Sequence, residues 1–350
     1  MRRLFLLYFI AASALILISG CGKDNNNVVI PPGPGTEPEL STSLIFGSDV
    51  SWVTEMEHDG KVFRNNSGTE TDLFVLLKSI GQKIIRLRVF VNPTGGWCGQ
   101  DDVVAKAKRA KEAGLEVMID FHYSDFFADP SRQNTPAEWQ SYSHAELIEA
   151  VKNHTFSVLL KLKNEGIKID YVQIGNETRS GMLWPDGQNY TDAGFLKYVQ
   201  LHNAGYDAAK AVFPQAKVMV HVDNGWKWET LKWFFNSFNN MGARYDLIGL
   251  SLYPEKSNWK SYNDQILNNI ATLYAQYQKE TIVCEVGMDW TDAATCKSFL
   301  SDLIARSQAD GSHCTGVLYW EPEGYHAWSG YSKAAFDNTG KPTAALDAFK

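Results

Sequence analysis

The sequence predicts a (β/α)8 barrel of the α/β class, on three observations. Eight short apolar runs recur between residues 44 and 350, at spacings of roughly 30–55 residues, the rhythm of such a barrel. Each run is apolar on both alternating faces, which marks strands covered on both sides. Amphipathic stretches separate the runs, and strand–helix alternation implies parallel pairing.

The runs are Leu44–Gly47, Ile84–Val89, Glu116–Phe121, Tyr171–Gly175, Lys217–His221, Leu247–Leu252, Thr281–Cys284 and Gly316–Trp320. Helical periodicity appears at Val103–Ala113, stopped by Gly114, and at Leu147–Asn164, stopped near Gly166. Asp192–Val212 and Ile266–Tyr277 are two further helices. No shorter repeat and no second domain stands out, so residues 44–350 form one catalytic-size unit.

The first 43 residues read differently. Met1-Arg2-Arg3 is a positive start, and Leu4–Ile18 is an apolar run too short for a comfortable membrane span but right for a signal peptide. It ends Leu17-Ile18-Ser19-Gly20-Cys21, which resembles a bacterial lipobox with Cys21 as the lipidated residue. Residues 1–21 are therefore expected to be an address label. Residues 22–43, with three consecutive Asn and a Pro/Gly cluster, bury too little apolar surface to fold and read as a flexible linker. Lys23-Asp24 after the Cys resembles surface-export signals of some Gram-negative bacteria. The expected location is the outer membrane, facing outward, with the lipid as the only membrane contact.

Composition narrows the partners. Net charge is −7 with no basic stripe, which excludes nucleic acid as a natural ligand. A neutral polymer meets no penalty, whereas an acidic one is repelled on average. The 11 Trp and 15 Tyr suit stacking on sugars, although most such rings fill cores. Besides Cys21, four cysteines remain: Cys98, Cys284, Cys296 and Cys314. In an oxidising compartment they allow one or two disulfides, of unassigned pairing. No C-x-x-C pair supports zinc. A monomer is expected.

Active sites of such barrels lie at the C-terminal ends of the strands. There the runs deliver Asp49; Arg88 and Asn92; His122, Asp125, Phe126 and Phe127; Asn176 and Glu177; His221 and Asp223; Tyr253; Glu285; and Trp320. Any one of these has a bland reading, but their concentration on one rim does not. Two carboxyls cleave a glycosidic bond: one protonates the leaving oxygen while the other meets the oxocarbenium-like carbon. Glu177 and Glu285, from opposite sides of the mouth, are the natural pair. Arg88 is expected near Glu285 to favour its charged form, with Tyr253 donating to the same carboxylate. Asn176 is placed to bond a sugar 2-hydroxyl.

Asn-Glu after the fourth strand with Glu after the seventh resembles the 4/7 superfamily of retaining glycosidases. The finer resemblance is to glycoside hydrolase family 53, the endo-β-1,4-galactanases. It rests on Gly47-Ser48-Asp49-Val50-Ser51, Arg86-Leu87-Arg88-Val89, His122-Tyr123-Ser124-Asp125, Gln173-Ile174-Gly175-Asn176-Glu177, Gly181–Pro185, Glu285-Val286-Gly287 and Tyr319-Trp320-Glu321-Pro322. The resemblance implies internal cleavage of β-1,4-galactan and type I arabinogalactan by double displacement, with Glu177 as acid/base, Glu285 as nucleophile and Trp320 beneath the sugar. Phe127 stands where the family often has Trp. Some relatives carry a calcium loop after the seventh strand. Here Asp289 and Asp292 alone are too few for the oxygens calcium prefers, so no cofactor is expected beyond an optional structural calcium. Two rivals stay open: a 4/7-type hydrolase of mannan, xylan or glucan, and a noncatalytic glycan-capturing lipoprotein.

Overall fold

Eight parallel strands, each paired with the next and the last with the first, close into one barrel. The computed structural model describes residues 44–350, so the lipobox, Cys21 and the linker lie outside the described residues. The strands are β1 (Ile45–Asp49), β2 (Ile84–Val89), β3 (Glu116–Phe121), β4 (Ile169–Ile174), β5 (Lys217–Val222), β6 (Leu247–Leu252), β7 (Thr281–Val286) and β8 (Cys314–Trp320). β2, β3 and β6 span the residues that the apolar runs predict. β7 runs two residues further and β8 starts two earlier.

The helices are α1 (Val53–His58), α2 (Leu73–Ser79), α3 (Gln100–Glu112), α4 (His144–Asn164), α5 (Asp192–Val212), α6 (Trp228–Asn240), α7 (Trp259–Tyr277) and α8 (Ala293–Ser307). α4 starts at His144 because Ser143 and Glu146 form a capping box, each bonding the other's backbone N–H. α1 and α2 are too short for periodicity to reveal. α6 hides behind aromatic and Asn residues of modest helix propensity. Among the described residues no helix is long and apolar enough to cross a membrane.

Alternation along the strands divides the barrel interior into layers. Ile84, Met118, Met219, Leu247, Ile282 and Leu318 make an apolar lower layer. The next inward residues, including Asp49, Arg86, Asp120, Gln173 and His221, make a polar layer above it, all fully buried. Gly47 is needed for closure: a Cβ there would lie 2.3 Å from the Ile84 carbonyl oxygen.

One irregularity matters for the site. Leu250 pairs with Val283 but Ser251 with Glu285, and on the other side Val317 pairs with Val283 but Tyr319 with Val286. This bulge turns two successive side chains inward. Cys284 enters the apolar layer and Glu285 rises above it. Among the described residues the four cysteines are buried free thiols, so the disulfides that the sequence allows do not form there. Each sits on a different element with its own packing.

Candidate active site

The polar layer is organised around Arg86. Register puts Arg86 beside Asp49 of β1, while Arg88 lies one pleat nearer the rim, beside Asp120 of β3. Arg86 Nη1 reaches Asp49 at 3.1 Å and Glu285 Oε1 at 3.0 Å. Nη2 reaches Asp120 at 2.8 Å and Asn176 Oδ1 at 2.9 Å, and Nε donates to Gln173 at 3.2 Å.

Arg88 therefore does not serve Glu285, contrary to the sequence expectation. It is buried, pairs with Glu321 and lies 3.7 Å from Asp49. Its guanidinium stacks 4.5 Å from the Phe127 ring centroid and 5.4 Å from that of Trp52. Its role is beneath the cavity floor rather than in substrate contact.

Above this layer opens a cavity of about 440 Å³. Glu177, Glu285, Tyr253 and Asn176 line it, with Trp52, Phe127 and Trp320 as aromatic walls. Trp52 meets Trp320 edge-on at 5.4 Å, and Phe127 meets Trp320 at 6.2 Å. A carboxyl oxygen of Glu177, one of Glu285 and a ring nitrogen of His221 all lie within 4.8 Å of one another.

The two carboxyls have different surroundings. Glu285 accepts from Arg86 and from the Tyr253 hydroxyl at 2.8 Å, both donors to the charged form. Burial pushes it up to about 7, against the pull of Arg86 and Tyr253. Glu177 has only the Ser251 hydroxyl, at 2.6 Å. Burial and then the charges of Glu285 and Asp223 push it well above the usual carboxylate range. The donors therefore favour the charged form at Glu285 rather than at Glu177.

Glu177 sits past β4 in the left-handed region, at φ 45°, where a non-glycine residue costs about 1–3 kcal/mol. Beneath it, burial and Arg86 hold His221 well below its usual value, so the ring is neutral. Nε2 of His221 is 2.8 Å from Ser251 Oγ, while the Glu177 N–H and Gln173 Nε2 donate to Nδ1 at 3.3 and 3.1 Å. The fitting tautomer has Nε2–H donating to Ser251, which donates onward to Glu177.

Glu177, His221 and Glu285 have the spacing of a metal site. Arg86 already occupies Glu285, however, and His221 engages both nitrogens, so the donor set is one for charge pairing and proton transfer. Asp289 caps Thr291 and Asp292 pairs with Lys256 at 2.6 Å, so the two carboxylates considered for calcium are engaged separately.

The other predicted residues divide. His122 lines the cavity, donates to Asp120 at 3.0 Å and accepts the Ala128 N–H. Asn176 faces the cavity with one amide N–H committed to the Ala128 carbonyl at 2.8 Å. Asp223 pairs with Arg179 at 2.8 Å beside Glu177. Asn92 and Asp125 were expected at the substrate but do not line the cavity. Asp125 accepts the Asn92 and Ala137 N–H groups and braces the loop after β3. Phe126 turns away from the cavity, 55% exposed, into a neighbouring groove. Sequence reasoning missed Trp52, Tyr331 and Lys333 in the cavity lining, and it assigned to Arg88 the contact that Arg86 makes with Glu285. The two-residue spacing of Arg86 from Arg88 put both inside, but not which one meets Glu285.

A family model described as Glycosyl hydrolase family 53 matches residues 45–349. Probable arabinogalactan endo-β-1,4-galactanase A of Aspergillus fumigatus is 34% identical over 307 residues, covering 81% of this chain and 85% of that protein. Arabinogalactan endo-β-1,4-galactanase of Thermothelomyces thermophilus is 32% identical over 329 residues, covering 87% and 98%. The solved family 53 catalytic domain from Ignisphaera aggregans has a TM-score of 0.79 at 31% identity, covering 89% of this chain and 97% of that one. Xylanase 10B of Thermotoga petrophila, at TM-score 0.57 and 12% identity over 90% and 97%, shares the fold alone.

Tyr253→Phe deletes a donor to the charged form of Glu285. The Glu285 titration should then move upward from about 7 by about one unit. Carboxyl carbon-13 chemical shifts followed against pH measure this directly. An unmoved or lowered midpoint contradicts the bond's role.

Proposed function

The chain belongs to glycosyl hydrolase family 53 and is a glycoside hydrolase, and from that premise we propose that it cleaves β-1,4-galactan internally with retention of configuration. The substrate class would be galactan and type I arabinogalactan, the pectic side chains. The observation that carries the mechanism is the pair of facing carboxyls, whose oxygens approach within 4.8 Å. That spacing suits direct attack, where a water between carboxyls needs about 6.5–9.5 Å. Relatives named as arabinogalactan endo-β-1,4-galactanases support the substrate.

In the first step the Glu285 carboxylate attacks the anomeric carbon while Glu177 protonates the departing oxygen. The glycosidic C–O bond breaks and a glycosyl ester forms. That ester removes the charge which helps hold Glu177 up. Glu177, now easier to ionise, takes a proton from water, whose oxygen displaces Glu285. Two inversions at one carbon give net retention.

Linear galactan should release a ladder of intermediate oligosaccharides early in digestion. Strong release from mannan, xylan or glucan with none from galactan overturns the substrate, and binding without any product supports a capture protein instead.

Glu285→Ala should abolish hydrolysis, and azide should restore turnover of an activated aryl galactoside, giving the inverted glycosyl azide. Glu177→Ala should spare that aryl substrate far more than galactan, because a good leaving group needs no proton. Equal losses on both point to a different acid.

We also propose that the chain is anchored outside the cell through Cys21, supported by the lipobox-like Leu17–Cys21. Cys21→Ala should eliminate incorporation of labelled palmitate. Undiminished labelling rules out this anchor.

A further inference from the structure

Glu321 and Glu323 follow β8 and are both fully buried beneath the cavity floor. Glu321 has clear partners: Oε1 pairs with Arg88 and Oε2 accepts the Trp52 N–H at 3.3 Å. Glu323 does not. Among the described residues no group of another residue donates to either of its oxygens, and the N–H near them is its own. Its polar neighbour is the carboxyl of Glu321, within hydrogen-bond contact.

Charge balance sharpens this. Asp49, Asp120, Glu285, Glu321 and Glu323 are all buried, and Arg86 and Arg88 are the guanidiniums that meet them. Two touching carboxyls beside one guanidinium cannot both ionise away from water. We propose that Glu323 is a positioning residue: held as a neutral acid, it donates a hydrogen bond to the Glu321 carboxylate and so fixes Arg88 and Trp52 under the sugar.

The route to the cavity is short. Glu321 orients Arg88 and the Trp52 backbone, and the Trp52 and Phe127 rings stack on the Arg88 guanidinium. Burial raises both acids, Glu321 to about 7 and Glu323 well above the usual carboxylate range, the latter also because of the Glu321 charge. The other titratable or charged groups facing the pair are Arg88 and Asp49 from the strands, Cys98 after β2, and Tyr325 and Tyr331 after β8. Glu55 of α1 faces Arg88. These groups are shared by the native chain and a Glu323 variant.

A buried acid that keeps its proton while the unfolded chain loses it makes the fold less stable as pH rises from the unfolded value to the folded one. Glu323→Gln keeps a donor, now an amide N–H, but cannot titrate. Between pH 5 and 7 the native unfolding equilibrium constant should grow by about tenfold more per pH unit than that of Glu323→Gln, the effect of one proton. In deuterated buffer the native protein should also show a protonated-carboxyl stretch that Glu323→Gln lacks. On galactan at pH 6, Glu323→Gln should stay within about twofold of native kcat/KM, whereas Glu323→Met, without a donor, should raise KM several-fold with kcat less affected. A KM in Glu323→Met equal to native overturns the positioning role. Equal pH slopes, an unchanged carboxyl band, or a Glu323→Gln protein as impaired as Glu323→Met also overturn the proposal. If Glu323→Met does not fold, the slope and the infrared band still decide the protonation. They need no substrate, so they stand apart from the galactan reading, on which only the kinetic arm rests.

Discussion

Arginine offers five N–H donors in a rigid plane, and Arg86 donates four hydrogen bonds and adds a charge contact to Asp120. Nη1 serves Asp49 and Glu285, Nη2 serves Asp120 and Asn176, and Nε serves Gln173. Those acceptors come from β1, β3, β4, β7 and the turn after β4. One buried cation therefore ties opposite sides of the barrel together. Removing one partner of such a buried pair typically costs about 3–5 kcal/mol, because the remaining charge is stranded. The same contacts fix the carboxylate of Glu285 and, through Asn176, the turn that presents Glu177. Scaffold and site are thus one network.

That network also gives the two glutamates of one cavity unlike surroundings, as the opposite tasks proposed for them need. Both are raised by burial, so burial alone cannot separate them. The difference is that Glu285 receives Arg86 and Tyr253, whereas Glu177 receives a serine hydroxyl. Asp223 adds repulsion on the Glu177 side only. His221, kept neutral beneath Glu177, adds no positive charge of its own to either carboxyl. The expectation of a lowered Glu285 gives way to an ordering between two raised groups, and that ordering is what acid and nucleophile require.

Much of the fold was legible because a buried parallel strand leaves a short apolar run, and eight such runs are hard to arrange otherwise. The Glu177–Glu285 pairing was legible because each follows such a run. What escaped depends on relations between strands. Arg86 and Arg88 differ by one full pleat, and only the register with β1 and β8 decides that Arg86 faces Glu285 while Arg88 faces Glu321. The Cys284 bulge breaks strict alternation, so no period-2 reading puts both Cys284 and Glu285 inside. Asn92 and Asp125 look like site residues because they stand at a rim, yet Asp125 spends its carboxylate on the backbone N–H groups of Asn92 and Ala137. Short α1 and α2 carry too few turns to show a period.

The loop after β3 shows how a rim can vary while this centre stays fixed. Asp125 braces its start, and Ala128 is held at both ends: its N–H by His122 and its carbonyl by Asn176. Gln133 then donates to the Asn176 carbonyl at 2.8 Å. The loop is thereby bound to the Glu177 turn by bonds that do not involve the Phe127 side chain. Between these anchors Phe127 projects over Arg88, and a different ring could stand there without disturbing any of those bonds. A different ring at Phe127 would therefore change the area and polarity of one cavity wall, on a loop whose position is set independently by its backbone. That wall can vary because Arg86, Asn176 and Gln133 already hold the two glutamates and the loop in register.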